Sequence, residues 1–329
     1  MKQFMDAGPE FPKANVSGYH TCVPTPASDA SNASNMPFIR SFHGEPFFRS
    51  LRASCGDGLM SIVAALSPVR AEPNPAFPTS TAEANLTLQR LAQQPITLPR
   101  PILLLNGYRG PDFQVLVLKE QIRRHTDAAG GDWLAVSYLT ASDLPAMVRK
   151  VMRCVQQRWP DLQTVPGEAA RRSLPLDVVA ISMGGIVAKL AAVGLESVGL
   201  SGLGLARLNI ARLFTLATPH QGAKLADKIA PDPAAAAVKF GSPLLAQLHT
   251  AWMTDERLCT TEQVCYTRLD DQWVGATRAA PPGQQPIWLE GCGAASHGTV
   301  SRDPRILADL ALRLRGEPPL SQASLPPRD

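Results

Sequence analysis

The chain has 329 residues, of which 45% are hydrophobic, enough for one substantial core with material left over. Its formal net charge is only +4 and it carries no dense basic run, so its composition gives no indication of nucleic-acid binding. No apolar run approaches the roughly 20 residues that a transmembrane helix needs, and the six cysteines lack the spacing of a metal site, so we expect a soluble protein without a bound metal.

Residues 1–79 are rich in Pro, Ser, Asn and Ala and show no sustained periodicity, which is typical of a poorly ordered extension. Within them, the apolar run 58–67 resembles a signal peptide, but only if translation starts later than Met1, for example at Met36. We favour a short buried or disordered segment and a cytoplasmic protein, with export as the alternative. If the protein is exported, a disulfide between Cys259 and Cys265 is conceivable.

Strand and helix signals alternate through residues 80–316. Apolar runs of strand length, which suit parallel strands buried on both faces, predict strands at 102–105, 133–138, 176–181, 213–217, 264–269 and 287–289. Helical periodicity predicts helices at 81–94, 113–124, 142–159 and 304–315. The alternation predicts an α/β domain with a mostly parallel sheet covered by helices on both faces, followed by a Pro-rich tail at 317–329.

Two of these helices carry clear end signals. Ser80 with Glu83 three residues later forms a capping box for the first helix. The last helix has Asp303 as its cap and Pro304 in its first position, and Gly316 ends it.

A strand, a sharp turn and a helix meet at Ser182. The apolar run 176–181 stops there, and a helical pattern begins at Met183. A serine hydroxyl becomes a useful nucleophile when a strained elbow pushes it towards a base and towards donors for an oxyanion. Close packing of strand and helix requires small neighbours, here Ala180 and Gly184. The usual pattern is G-x-S-x-G, so Ala180 adds one methyl group.

Functional groups of open parallel sheets gather at the carboxyl ends of the strands. The strand at 102–105 runs into Asn106, Gly107 and Tyr108. Backbone N–H groups of Tyr108 and Met183 could together form an oxyanion hole. The alternative is an ordinary strand-to-helix loop in which glycine only permits the turn.

Two later strand ends supply candidates for an acid and a base. Asp270 and Asp271 follow the strand at 264–269, and a carboxylate there could orient an imidazole. His297 lies in a glycine-rich loop after the last strand and is the only histidine that follows these aspartates, as the order serine, acid, base requires. His220 precedes them, so we interpret it as a residue that lines or supports the pocket.

Together these segments resemble the α/β-hydrolase superfamily, specifically its bacterial lipase and esterase branch, with similarity to GPI-inositol-deacylase-like acyl hydrolases. The resemblance covers roughly residues 99–315 and rests on LLLNGYRG, VVAISMGGIVAKL, TLATPHQGAKLAD, FGSPLLAQLH, YTRLDDQWVG and ASHGTVSRDPRIL. Asn106 stands where the family usually has His, and Ala180 where it usually has Gly. The family's acid commonly stands three residues before a Val, which places it at Asp271, before Val274.

The resemblance implies an acyl-enzyme mechanism. Ser182 would attack an ester carbonyl, His297 would take the proton, Asp271 would hold the ring, and the N–H groups of Tyr108 and Met183 would stabilise the oxyanion. No cofactor is implied. The substrate would be a small acyl ester or a lipid, with transient contact to a lipid surface as an option. Two alternatives stay open: an acyltransferase or amidase with the same triad, and a catalytically silent binding protein.

The segment 223–258 is longer than a crossover between strands needs and is rich in apolar residues. We predict that it forms a small helical cap over the site, suited to an acyl chain. The alternative is a helix that packs on the sheet without contact to substrate.

Overall fold

A computed structural model describes residues 77–126, 131–160, 175–202, 206–322 and 324–328. The predicted extension up to residue 76, including the apolar run 58–67, lies outside this part of the chain. Within it, no helix combines the length and the apolar character that crossing a bilayer requires.

The described strands form one six-stranded sheet in which every pairing is parallel. In chain order they are β1 Ile102–Leu105, β2 Trp133–Val136, β3 Leu176–Ile181, β4 Ile210–Leu216, β5 Glu262–Arg268 and β6 Ile287–Leu289. Their order across the sheet is β2-β1-β3-β4-β5-β6. All residues of β1 and β3 are buried, as expected for central strands covered on both faces. The predicted parallel α/β architecture is therefore confirmed.

Helices surround this sheet. They are α1 Thr81–Gln93, α2 Asp112–Thr126, α3 Leu144–Arg158, α4 Gly184–Val193, α5 Lys224–Lys228, α6 Pro233–Ala237, α7 Pro243–Thr254, α8 Ser296–Thr299 and α9 Pro304–Arg315. The Ser80–Glu83 capping box of α1 is present. Asp303 caps α9 through the Arg305 N–H, and Gly316 ends it in the left-handed conformation. These ends confirm the boundary signals of the sequence.

Strand β4 begins three residues before its predicted start because a buried ion pair accommodates its arginine. Arg212 lies opposite Asp177 of β3, and its Nε donates to Asp177 Oδ1 at 2.9 Å. Arg100 Nε donates to the same oxygen at 2.8 Å. Removing one partner from such a buried network leaves an uncompensated charge, which typically costs about 3–5 kcal/mol.

The predicted cap divides into two parts. Helices α5 and α6, at residues 224–237, stand over the carboxyl ends of the strands and contribute to a pocket described below. Helix α7 instead packs against α4 and does not line the pocket, which agrees with the alternative of a packing helix without contact to substrate. Cys259, after α7, is exposed, Cys265 in β5 is buried, and both are free thiols, so no disulfide joins them.

The predicted C-terminal tail lies against the domain. The Ser321 N–H donates to Asp309 Oδ1 of α9 at 2.8 Å, and Trp288 Nε1 donates to the carbonyl oxygen of Leu325 at 2.8 Å. At the other end of the domain, Phe77 is buried in the core. Ordered packing therefore extends a few residues beyond both predicted limits of the domain, 80 and 316.

Lys189 of α4 is buried between α4 and α7. Its side chain is almost inaccessible to solvent, and Nζ lies 4.7 Å from the ring centroid of Trp252. Burial lowers the pKa of Lys189 to about 8. The charged form is therefore less favourable in the folded protein than in the unfolded chain.

We expect Lys189→Met to raise the free energy of unfolding at pH 7 by up to about 3 kcal/mol. The unfolded chain keeps this proton to a pKa near 10.5 and the folded protein only to about 8. The penalty is therefore complete below pH 8 and disappears as the pH rises towards 10.5. Urea unfolding of both proteins at pH 7, 8.5 and 10 measures the difference, and a difference that does not shrink with pH would contradict this account.

Candidate active site

Ser182 occupies a strained turn between β3 and α4. Its φ is 49°, in the left-handed region that residues other than glycine rarely adopt. Two contacts hold the turn. The Ser182 N–H donates to the carbonyl of Leu216 at 2.7 Å, and the hydroxyl of Thr218 donates to the Ser182 carbonyl at 2.7 Å. The backbone thus presents the Ser182 side chain at the carboxyl edge of the sheet.

Small residues are required around this turn because β1 passes close by. A Cβ added to Gly184 would lie 2.6 Å from the backbone oxygen of Asn106, and one added to Gly107 would lie 3.2 Å from Cβ of Ser182. Ala180 is fully buried in β3, so its additional methyl group is accommodated. Gly184 is the neighbour of Ser182 at which only glycine fits without a backbone shift.

The loop after β1 and the residue that follows Ser182 each supply one backbone donor near the serine. Asn106 is fully buried; its Nδ2 donates to the carbonyl of Pro111 at 2.9 Å, and its Oδ1 accepts from the Gly107 N–H at 2.9 Å. Tyr108 and Met183 line the same pocket as Ser182. In the described part of the chain no group accepts a hydrogen bond from their backbone N–H groups. Both donors are therefore available to a ligand.

Asp271 and His297 form a buried hydrogen-bonded pair. His297 Nδ1 lies 2.9 Å from Asp271 Oδ2. The other carboxylate oxygen accepts the backbone N–H groups of Trp273 at 2.8 Å and Val274 at 3.0 Å. The indole of Trp273 stacks on the imidazole, with ring centroids 4.9 Å apart. With Nδ1 engaged by the carboxylate, Nε2 is left as the ring nitrogen for proton exchange in the pocket.

Asp270 and His220 do not line the pocket. Asp270 is partly buried, with φ at 59°, and its carboxylate lies against Gly291. His220 is buried, with Nε2 3.3 Å from Oγ1 of Thr215. Burial lowers the pKa of His220 well below its usual value, with Lys189 adding to the effect, so the ring is neutral near pH 7. His220 supports the loop after β4 and does not line the pocket.

A cavity of about 610 Å³ joins these groups. Ser182 and His297 line it together with the loop after β1 and the segment 219–238. The cap contributes mainly apolar side chains, namely Ala223, Leu225, Ala226, Ile229, Pro231, Ala235 and Val238. Leu225, Ile229 and Trp273 are also partly exposed to solvent, so the cavity opens through an apolar rim.

Several residues of this site carry no signal of their role in the sequence. Thr218 holds the Ser182 carbonyl, Trp273 covers His297, and Asp232 of the cap contacts the loop after β1. Thr218 lies in the TLATPHQGAKLAD segment and Trp273 in YTRLDDQWVG, close to His220 and Asp271. Asp232 carries no such signal, since its partners are more than 120 residues away.

Gly184→Ala should destabilise the protein, because the new methyl group would force the backbone of β1 away from the elbow. We expect a loss of about 1–3 kcal/mol, typical of overpacking a tight site. Gly298→Ala is the matched control, since a Cβ there meets nothing within 4 Å. Thermal unfolding followed by circular dichroism compares the two, and equal melting temperatures would contradict the tight packing at Gly184.

No protein family profile and no curated protein matches the chain. Solved structures that resemble it include phospholipase PlaB from Legionella pneumophila, with 12% identity, a TM-score of 0.40 and coverage of 55% of this chain and 45% of that one. Lipase 1 from Pelosinus fermentans has 12% identity and a TM-score of 0.44, and the match covers 67% of this chain and 99% of that one. Aspergillus fumigatus lipase B has 11% identity and a TM-score of 0.44, with coverage of 79% of this chain and 63% of that one. The chain thus spans less than half the length of the phospholipase. Its own parallel strand order and the serine elbow at the end of β3 identify the fold as that of the α/β-hydrolases.

Proposed function

We propose that the protein is a serine hydrolase that cleaves carboxylic esters through an acyl-enzyme on Ser182. The observation that carries this proposal is the buried Asp271–His297 hydrogen bond, whose histidine lines the same cavity as a serine held in a left-handed elbow. An oriented imidazole and a strained, partly accessible serine are requirements of nucleophilic acyl transfer. Bacterial lipases and esterases are the branch that we expect.

In the proposed reaction, Oγ of Ser182 attacks the ester carbonyl carbon while Nε2 of His297 takes the hydroxyl proton. The carbonyl oxygen becomes an oxyanion that accepts the N–H groups of Tyr108 and Met183. The imidazolium then gives its proton to the leaving alcohol. Water, deprotonated by the same nitrogen, attacks the acyl-enzyme and releases the carboxylic acid and Ser182. No step uses a cofactor.

Asp271 keeps the imidazole in the productive tautomer and stabilises its cationic form. Its carboxylate has three hydrogen-bond partners and is 2% exposed, so protein groups fix its orientation. The stacked indole of Trp273 adds a cation–π contact once the imidazole is protonated. These contacts favour Asp271 over Asp270 as the acid.

The walls of the cavity favour an apolar acyl group. Seven cap residues from Ala223 to Val238 present apolar surface to it, and about 610 Å³ suits a ligand of small-molecule size. Its rim exposes Leu225, Ile229 and Trp273, whose exposed fractions are 38%, 63% and 52%. A contiguous apolar rim is suited to contact with a lipid or micelle surface. We therefore propose acyl esters or lipids as substrates.

A fluorophosphonate probe should label the wild-type protein and fail to label Ser182→Ala. The probe phosphonylates an activated serine, which requires both the elbow and the base. In-gel fluorescence measures the labelling, and circular dichroism checks that the variant is folded. Labelling that persists in the variant would remove Ser182 as the nucleophile, whereas no labelling of either protein would favour a silent binding protein.

Asp271→Asn should lower kcat for an aryl ester by about 10³–10⁴-fold, because the amide favours the wrong tautomer of His297. Asp270→Asn is the matched control; asparagine tolerates the left-handed backbone at that position, and we expect kcat within about twofold of wild type. Initial rates of nitrophenyl ester hydrolysis compare the two. If Asp270→Asn proves the more damaging change, the choice of acid is wrong.

A further inference from the structure

Asp232 joins the cap to the loop that carries the Tyr108 donor. It precedes helix α6, where its Oδ1 accepts the Ala235 N–H at 3.0 Å. Its Oδ2 accepts the phenol hydroxyl of Tyr108 at 2.5 Å and Nη2 of Arg109 at 2.9 Å. The carboxylate side chain is only 7% exposed. One buried carboxylate therefore bonds the cap and two consecutive residues of the loop after β1.

The loop that it contacts is held in an unfavourable conformation. Arg109 has φ at 49°, and a left-handed residue other than glycine costs of order 1–2 kcal/mol. Such a conformation persists only where surrounding contacts determine it. Asn106 fixes the start of the loop through the Gly107 N–H, and Asp232 fixes the side chains of Tyr108 and Arg109. The backbone N–H of Tyr108 lies between these two anchors.

The protonation states favour a persistent contact near pH 7. Burial, together with the hydrogen bond to Asp232, raises the pKa of Tyr108 to about 12, so the phenol remains a donor. Burial alone would raise the pKa of Asp232, but the bonds from Tyr108, the Ala235 N–H and Arg109 outweigh it and hold the pKa below its usual value. A charged acceptor makes both hydrogen bonds stronger than neutral ones.

We propose that Asp232 is a positioning residue that aims the Tyr108 N–H at the oxyanion by tying the loop after β1 to the cap. This inference rests on the proposed function, since it concerns the oxyanion of the same reaction. Asp232 does not itself line the cavity or touch the reacting atoms; it acts through Tyr108 and Arg109, which line the cavity. Loss of its charge leaves Ser182, His297 and Asp271 in place and disturbs only the donor.

Asp232→Asn tests this role, and Asp227→Asn is a matched control from the same cap. Asp227 lies in α5 and accepts the Phe240 N–H at 2.8 Å and Nη1 of Arg278 at 2.6 Å. It therefore also combines a backbone contact with an arginine pair, but it does not contact the loop after β1. Any general loosening of the cap affects both variants, whereas loss of oxyanion positioning is specific to Asp232.

We expect Asp232→Asn to lower kcat for an aryl ester about tenfold or more with KM within about twofold, as for a donor that is misplaced rather than removed. A trifluoromethyl ketone forms a hemiketal oxyanion on the serine, and its inhibition constant should rise by the same factor. Asp227→Asn should stay within about twofold of wild type in both measurements. Tyr108→Phe removes one of the two bonds, keeps the α6 cap, and should show a smaller loss of the same kind.

Three results would overturn the inference: unchanged kcat in both Asp232→Asn and Tyr108→Phe, a fall in kcat without weaker ketone inhibition, or an equal fall in Asp227→Asn. If Asp232→Asn does not fold, Tyr108→Phe decides by the same two measurements. Failure of the proposed function looks different, because the wild-type protein itself would then neither hydrolyse the ester nor bind the ketone at Ser182.

Discussion

The left-handed turn at Ser182 exists because three strands hold the chain there at contact distance. At Gly184 there is no room for a side chain, because the backbone carbonyl of Asn106, just after β1, lies against the turn. The Ser182 N–H is bonded to Leu216 at the end of β4, and the hydroxyl of Thr218 holds the Ser182 carbonyl. A strained residue needs surroundings that determine its conformation completely. The carboxyl edge of a parallel sheet provides them, since neighbouring strands end there side by side.

The sequence predicted a loop around His297, but the residue lies in the short helix α8. The segment between β6 and α9 that contains α8 depends on a second set of contacts. Arg268, at the end of β5, donates to the carbonyl of Glu290 at 2.9 Å and also pairs with Asp303. Arg305 pairs with the carboxylate of Glu290 at 2.6 Å and with Asp303 at 3.0 Å. Residues 290 and 303 bound the segment between β6 and α9, so these ion pairs fix the distance between its two ends. The carboxylate of Asp303 also caps α9, so the start of α9 and the position of His297 depend on the same side chain.

The sequence predicted the parts of the fold that depend on local patterns. Apolar runs located the buried strands, and the side chains of Ser80 and Asp303 located helix ends, because capping is a contact between residues two or three apart. The start of β4 was misplaced, since Arg212 interrupts its apolar pattern and only the partner strand reveals Asp177 opposite it. The sequence also could not predict that only α5 and α6 of the cap line the pocket whereas α7 packs against α4. Apolar helices that cover a ligand and helices that cover a sheet have the same composition.

The difference between local patterns and contacts of distant residues also applies to the residues of the candidate site. Ser182 and Asp271 are held by backbone contacts at strand ends, which can be located from sequence, and His297 bonds Asp271 through its ring. The Tyr108 donor depends instead on a side-chain contact with Asp232, which no local pattern encodes. In the proposed reaction, loss of the Asp232 contact would therefore disturb the oxyanion donor and leave the contacts of Ser182 and of the Asp271–His297 pair in place.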